Sequence, residues 1–320
     1  MGDPSDKPAF RPGNVTLMVC TYRREDLLPR FIQSVAALKV PRGVKLHLVV
    51  SDNNPESHFD AYIGALLKKL RFKSSYGHEP QAGYANARNL AIRLALETPA
   101  ELFAFADDDM ELDPGWLEGH LRSHAEFGTD VIGGAIARKG SRHEHGRRFS
   151  HGQICVTQGT GNVSFRRWLI AEEGLRLRFD ERFNKTGGED QAFFAAAREG
   201  GAVIVFSAWP VIHDPQSEQD WLEELENKAR VSAVMHRNRV VRARKERNIL
   251  AGLLVALGGL RFGLKGLVGY ADYGASRATG HGERAEKKRV SAMKNIDKMR
   301  QGFRGLAGDY VARQDVRRGG

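Results

Sequence analysis

The sequence predicts an α/β fold: a mainly parallel, doubly wound sheet followed by a helical C-terminal extension. Three observations lead there. Strand-type apolar runs alternate with helical patterns across residues 15–127, the arrangement that builds a parallel sheet covered by helices. One of these runs, Leu102 to Ala106, is apolar at every position, as expected of a strand buried on both faces. Charge is also divided unevenly. Residues 221–320 hold 22 Lys+Arg against 10 Asp+Glu, a net of +12, while residues 1–220 hold 27 against 29, a net of −2.

Taken in order, Val15 to Cys20 is a short β-type run, followed by Thr21-Tyr22-Arg23-Arg24 and a helical pattern from Glu25 to Leu38. A second strand, Leu46 to Ser51, ends in Asp52-Asn53-Asn54-Pro55, which carries turn and N-cap chemistry. A helix to about Leu70 precedes a weak third strand near Phe72–Tyr76, and Gly83 to Leu96 reads as an Ala-rich helix. The Leu102–Ala106 strand then stops at Asp107, Asp108 and Asp109, and a helix follows from Pro114 to Phe127 with proline in its first turn.

Adjacent acids at a strand end repel one another, and burial would raise their pKa values. A divalent cation with oxygen ligands removes that conflict, and Mg²⁺ tends to combine one or two carboxylates with substrate phosphates. An acidic turn ahead of a helix is the alternative reading of these three residues alone. In doubly wound sheets ligands collect at the carboxyl ends of strands. Thr21, Asp52 and Asp107 to Asp109 all fall on that edge. No G-x-G-x-x-G follows the first strand, which argues against a dinucleotide dehydrogenase.

From Asp130 the pattern changes. Val131 to Ala137 looks like a strand, and Gly140 to Gly152 is a polar loop with His143, His145 and His151. Irregular spacing among arginines favours a solvated loop, or a lid over substrate, above a zinc site. Gly159 to Arg167 is a Gly/polar turn entering a strand, where backbone can approach a ligand closely. Thr186-Gly187-Gly188-Glu189-Asp190 opens an apolar helix from Gln191 to Arg198. Glu189 suits either helix capping or a functional role, and Asp190, behind two glycines, suits a general base. Ala202 to Phe206 is a further strand, after which His213 arrives on a loop.

Cys20 and Cys155 give neither a disulfide framework nor a metal-ligand spacing. The polar, Pro-containing stretch from Met1 to Gly13 has no apolar h-region, so a cytoplasmic setting is expected, with peripheral attachment to the membrane's inner face as an option. In the basic C-terminal part, Gln219 to Arg247 reads as a long helix and Ile249 to Leu260 as twelve residues without charge. That run is short of the ~20 apolar residues needed to span a bilayer. An interfacial helix, or packing on the catalytic domain or a second subunit, fits it instead. Few aromatics are interleaved with the basic residues, which argues against nucleic acid.

With these residues in place, the sequence resembles the family 2 glycosyltransferases, which have the GT-A fold, from about Val15 to about Asp214. Val15 to Arg23 resembles the family's opening strand and Thr-Tyr turn. Gly83-Tyr84-Ala85-Asn86-Ala87-Arg88-Asn89 is similar to its Gly-x-x-x-Ala-Arg-Asn segment, and Asp107-Asp108-Asp109 to its D-x-D motif. Gly188-Glu189-Asp190 is similar to the acceptor-side Glu-Asp motif. The resemblance implies a metal-dependent, inverting, non-processive transfer of a hexose from a nucleotide diphosphate sugar, UDP-sugar favoured, to a hydroxyl of a glycan or lipid-linked acceptor. It implies donor binding by Thr21, Tyr22, Arg23, Asp52, Arg88, Asp107 and Asp108. Mn²⁺ or Mg²⁺ is expected on Asp107, Asp109 and His213, Gly188 and Glu189 on the acceptor side, and Asp190 as base. Gln-x-x-Arg-Trp, carried by processive members, is absent after Asp190. The expected organisation is a flexible N-terminus (1–13), a catalytic domain (14–216, with a nucleotide-binding part 14–129 and an acceptor part 130–216) and a basic helical extension (217–320), with a homodimer possible. A sugar nucleotidyltransferase, or a non-catalytic protein binding nucleotide-sugar or membrane, are the rival readings.

Overall fold

Five residues without a single polar side chain, Leu102–Ala106, form the centre of the sheet, each at most 2% exposed. The computed structural model describes residues 10–56, 59–138, 149–184, 187–215, 249–278 and 282–304. Over these the chain runs β1 (Asn14–Thr21), α1 (Leu28–Ala36), β2 (Lys45–Asp52), α2 (Asp60–Leu67), β3 (Lys73–His78), α3 (Tyr84–Leu96), β4 (Leu102–Ala106), β5 (Glu111–Leu112), α4 (Trp116–Phe127), β6 (Val131–Arg138), β7 (Asn162–Arg166), α5 (Glu189–Glu199) and β8 (Ile204–Asp214). A second compact unit contains α6 (Ile249–Ala278) and α7 (Gly282–Arg304).

The sheet order is β3-β2-β1-β4-β7-β6-β8-β5. The expected parallel block is present as β3-β2-β1-β4, and β6 and β8 are also parallel. Beyond β4 the sheet is mixed: β7 enters antiparallel between β4 and β6, and β5 runs antiparallel to β8. Side chains alternate across β4. Phe103 and Phe105 face one core with Met18, Phe165, Phe179 and Phe193. Leu102, Ala104 and Ala106 face the other with Leu17, Val19, Leu48 and Trp116. α1 lays Leu28, Phe31, Ile32 and Val35 on that second face, the i, i+3, i+4, i+7 stripe of a surface helix. β5 closes on β8, and residues 14–184 belong to one compact unit with 188–216.

β8 is longer than the expected Ala202–Phe206 and carries His213 as a strand residue, not a loop residue. The reason is a bulge. Pairing to β6 jumps from Gly133↔Phe206 to Ala135↔Val211, so Pro210 sits where no ladder hydrogen bond is required of it.

A buried polar chain anchors α4 to the sheet. Asn162 Nδ2 donates to the carbonyls of Ala135 (2.8 Å) and Pro210 (3.0 Å), which fixes its Oδ1 as an acceptor, and Trp116 Nε1 donates to that oxygen (2.8 Å). His120 reaches the same oxygen through Nε2 (3.1 Å) and Ser164 Oγ through Nδ1 (2.8 Å). Ser164 Oγ meets His124 Nε2 (2.8 Å), and His124 Nδ1 faces the Thr129 carbonyl (3.1 Å). Two neutral rings and one hydroxyl bring three protons to these four contacts, so one contact lacks its proton. Protonation would complete the chain, but burial holds both imidazoles down to about 3.

These rings are neutral in the folded protein at pH values where the unfolded chain is charged. Their contribution is therefore complete above pH ~6.5 and is lost as pH falls towards 3, at about 2 kcal/mol for each ring by pH 5. Other buried groups titrate in this range, so the readout is a difference. Urea midpoints at pH 7.5 and 5.0 should fall further apart for the wild type than for His124→Gln; equal separations would refute the assignment.

In the second unit, glycines on α6 face α7. A methyl at Gly263 would lie 2.3 Å from Met299 Sδ, and one at Gly266 would lie 2.6 Å from Ile296 Cγ1. Gly269 opposes Ala292, so the partners descend as α6 ascends and the helices are antiparallel. Among the described residues no helix is long and apolar enough to cross a membrane. The expected helix Gln219–Arg247 lies outside the described residues, as do His143 and His145.

Candidate functional site

β1, β2 and β4 are parallel, with Thr21 paired to Asp52 and Asp107 following directly on β4. Their carboxyl ends therefore share one edge. Burial and the neighbouring Asp109 push the Asp107 carboxyl up to about 6, against the pull of Arg88, with Asp190 adding to the rise. Burial likewise pushes Asp108 up to about 7, although Arg24 and a hydrogen bond with Thr21 act the other way. Asp109 Oδ2 is held by Arg24 Nη1 at 3.0 Å. Burial would lower the Arg24 pKa, but the three aspartates together raise it. Arg24 was not among the expected donor residues; a second cation after a strand that ends opposite three acids is the signal for it.

Two of these carboxylate oxygens, Asp108 Oδ2 and Asp109 Oδ1, are buried without a hydrogen-bond partner. Unmatched, acceptor-only oxygens are what a hard divalent cation requires, so these residues fit the expected metal. The expected three-residue ligand set is not assembled. His213 lies 3.5 Å from Asp113 Oδ2 on the β5–β8 edge, and no cluster of three His, Cys, Asp or Glu suited to a metal occurs among the described residues. His151 packs against Trp209 and Phe127.

Asp52 is fully buried and its oxygens are engaged. Oδ1 accepts from Asn54 N (2.9 Å) and Nδ2 (2.7 Å), and Oδ2 accepts from Tyr76 OH (3.0 Å). Asn54 Oδ1 in turn accepts from Arg23 N (2.7 Å), which fixes Arg23 at φ 53° with its guanidinium 5.3 Å from the Tyr22 ring. Asp52 thus shapes the loop that presents Tyr22 and Arg23.

The Gly83–Asn89 segment ties the two sides of the site together. A side chain at Gly83 would collide with Asn184, whose Oδ1 accepts from Ala85 N (2.9 Å) and Asn86 N (3.1 Å) and so caps α3 from a distant segment. Asn89 bonds both N (2.8 Å) and O (2.9 Å) of Phe179. Arg88 Nη1 meets Glu189 Oε1 at 2.6 Å, and its Nε donates to Thr160 Oγ1 at 3.0 Å. Burial would lower the Arg88 pKa; Glu189 first, then Cys20, Asp107 and Asp190, hold it up. Glu189 is 3% exposed and opens α5, so it pairs across the site as well as standing at a helix N-terminus.

Gly187 and Gly188 have φ 70° and 98°, a left-handed turn that glycine adopts without strain, and Asp190 follows in the first turn of α5. Asp190 Oδ1 accepts from Gln191 N (2.7 Å). The Gly159-Thr160-Gly161 turn lies beside Asp107, Arg88 and Asp190. A methyl at Gly161 would lie 2.8 Å from Asp107 Oδ2, and one at Gly159 would lie 3.4 Å from Asp190 Oδ2. Two residues of chain span at most about 7 Å, so Asp107 and Asp190 flank the same turn, and the Asp190 charge is felt at Asp107. Thr160 and Asn184 were missed from sequence, since nothing local marks a residue whose partner is a distant helix start or arginine.

Comparison with known proteins bears on the fold and the family. ExoM, the succinoglycan biosynthesis protein of Rhizobium meliloti (strain 1021), is 30% identical over 216 residues, covering 64% of this chain and 68% of ExoM. A mannosyltransferase from Pyrobaculum calidifontis, solved with GDP-Man and Mn²⁺, superposes with a TM-score of 0.55 at 13% identity, covering 90% of this chain and 87% of that one. Residues 1–349 of S. aureus TarS superpose with a TM-score of 0.51 at 18% identity, covering 90% and 92%, although the chain spans only 39% of the longer TarS structure. These likenesses establish the GT-A type of fold. Residues 16–199 match Glycosyl transferase family 2, more than half of the chain, and the protein is a glycosyltransferase belonging to that family.

Proposed function

We propose that the chain transfers a sugar, with inversion, from a nucleotide diphosphate donor to a hydroxyl of a glycan or lipid-linked acceptor, one unit at a time. The observation that carries this reading is the Gly159-Thr160-Gly161 turn, which has Asp107 at one end and Asp190 at the other. Donor diphosphate on the Asp107–Asp109 side and acceptor on the Asp190 side would then meet across that turn. Asp190 takes the proton of the acceptor hydroxyl as its oxygen bonds the anomeric carbon and the bond to the diphosphate breaks. Arg24, beside Asp109, and Arg23 would offset phosphate charge. Asp108 and Asp109 would hold Mn²⁺ or Mg²⁺, which supplies charge neutralisation to the leaving diphosphate when bound. A role in polysaccharide assembly is supported by the name of ExoM, and a nucleotide-sugar donor with Mn²⁺ by the contents of the Pyrobaculum structure. UDP-sugars are the first donors to try.

The test is slow donor hydrolysis across a panel of nucleotide sugars, with and without Mn²⁺ or Mg²⁺. We expect release of a nucleoside diphosphate that needs the metal and falls at least about 10²-fold in Asp109→Ala, as loss of a main charge-stabilising group does. Release of pyrophosphate from a nucleoside triphosphate would instead make the chain a nucleotidyltransferase.

A further inference from the structure

The second unit carries a feature that sugar transfer does not use. Along α6, Leu260, Leu264, Leu267 and Val268 recur at i, i+4, i+7 and i+8, and so occupy one side of the helix. Leu264 is 67% exposed and Val268 66%, values at which a large apolar side chain stands in water over most of its surface. The opposite side, Gly263, Gly266 and Gly269, is taken by α7, so the hairpin itself does not cover the stripe. Arg261 and Lys265 border the stripe on one flank and are exposed. α7 adds eight Lys+Arg against three Asp+Glu between residues 282 and 304.

We propose that this stripe is a docking surface for an anionic lipid bilayer, with the leucines in the acyl–headgroup boundary and Arg261 and Lys265 at the phosphates. Charge decides between possible occupants. A second copy would bring two basic flanks together in a region of net +12, whereas an anionic surface complements them. The geometry is that of a helix lying in the plane of the interface, since no described helix is long and apolar enough to span.

Flotation of the full chain with vesicles of equal phosphatidylglycerol and phosphatidylcholine, against phosphatidylcholine alone, tests this. Binding should require the anionic lipid and weaken as salt rises. Leu264→Glu with Leu267→Glu should reduce partitioning by at least about tenfold per leucine. Arg261→Glu with Lys265→Glu should reduce it by about fivefold per charge. Far-UV circular dichroism checks that helix content is kept; if the glutamates lower it, Leu264→Ser with Leu267→Ser replaces them. No binding, equal binding to both vesicle types, or binding unaffected by the leucine changes would each overturn the proposal. So would a dimer in dilute solution that Leu264→Glu dissociates, which would assign the stripe to a second copy.

Discussion

Asp190→Asn should lower the turnover number by about 10²–10⁴, the usual worth of a general base, and leave donor affinity within about twofold. Asparagine keeps the size of aspartate and its carbonyl can still accept from Gln191 N, so the first turn of α5 persists. What disappears is the ability to hold a proton in transit. Single-turnover rates with a competent acceptor, together with nucleotide-sugar binding by calorimetry, separate the two quantities. Asp190→Glu is the informative companion. It restores a carboxylate but moves it by one methylene, and a base positioned to within an ångström should recover only part of the rate. An Asp190→Asn variant that retains half the wild-type turnover would remove Asp190 from the reaction.

Arg88→Ala should be the most damaging substitution for the fold of the site, costing about 3–5 kcal/mol, because it strands the Glu189 carboxylate in a buried setting. The pair spans 101 residues of sequence at 2.6 Å, and the same guanidinium holds Thr160, the middle of the turn between Asp107 and Asp190. Arg88→Met with Glu189→Leu removes both charges together, and most of the lost stability should return, measured as urea midpoints. Activity should not return with it, since the tether to Thr160 is still gone. Recovery of both would mean that the pair serves stability alone.

Much of the shared carboxyl edge of β1, β2 and β4 was legible because its signals are local. An all-apolar run with charges at its end specifies a buried strand and its exit, and Leu102–Ala106 was read to the residue. Pairings that depend on distant segments were not. β7 gives no sign in Asn162–Arg166 that it will lie antiparallel between β4 and β6. The sequence reads as a strand ending at Phe206 with a loop after it, and only the register jump at Gly133/Ala135 makes Trp209–Pro210 tolerable within a continuing strand. His213 looked like a ligand because a histidine near a strand end beside acids can be one, but its nearest acid is Asp113. Glu189 was ambiguous for the same reason: capping is a local property, and its partner Arg88 lies in another helix.

The antiparallel insertion of β7 also governs how the polypeptide must be made. β4 is the central strand, yet one of its two neighbours is translated some sixty positions later, and β5 waits for residues 212–213. A nascent chain ending before that point presents a bare, fully apolar ladder edge, the kind of template that recruits other chains. Assembly should therefore be slow for the chain's size, as non-local strand pairing dictates. Truncations between residues 110 and 160 should accumulate as aggregates, whatever their helical content.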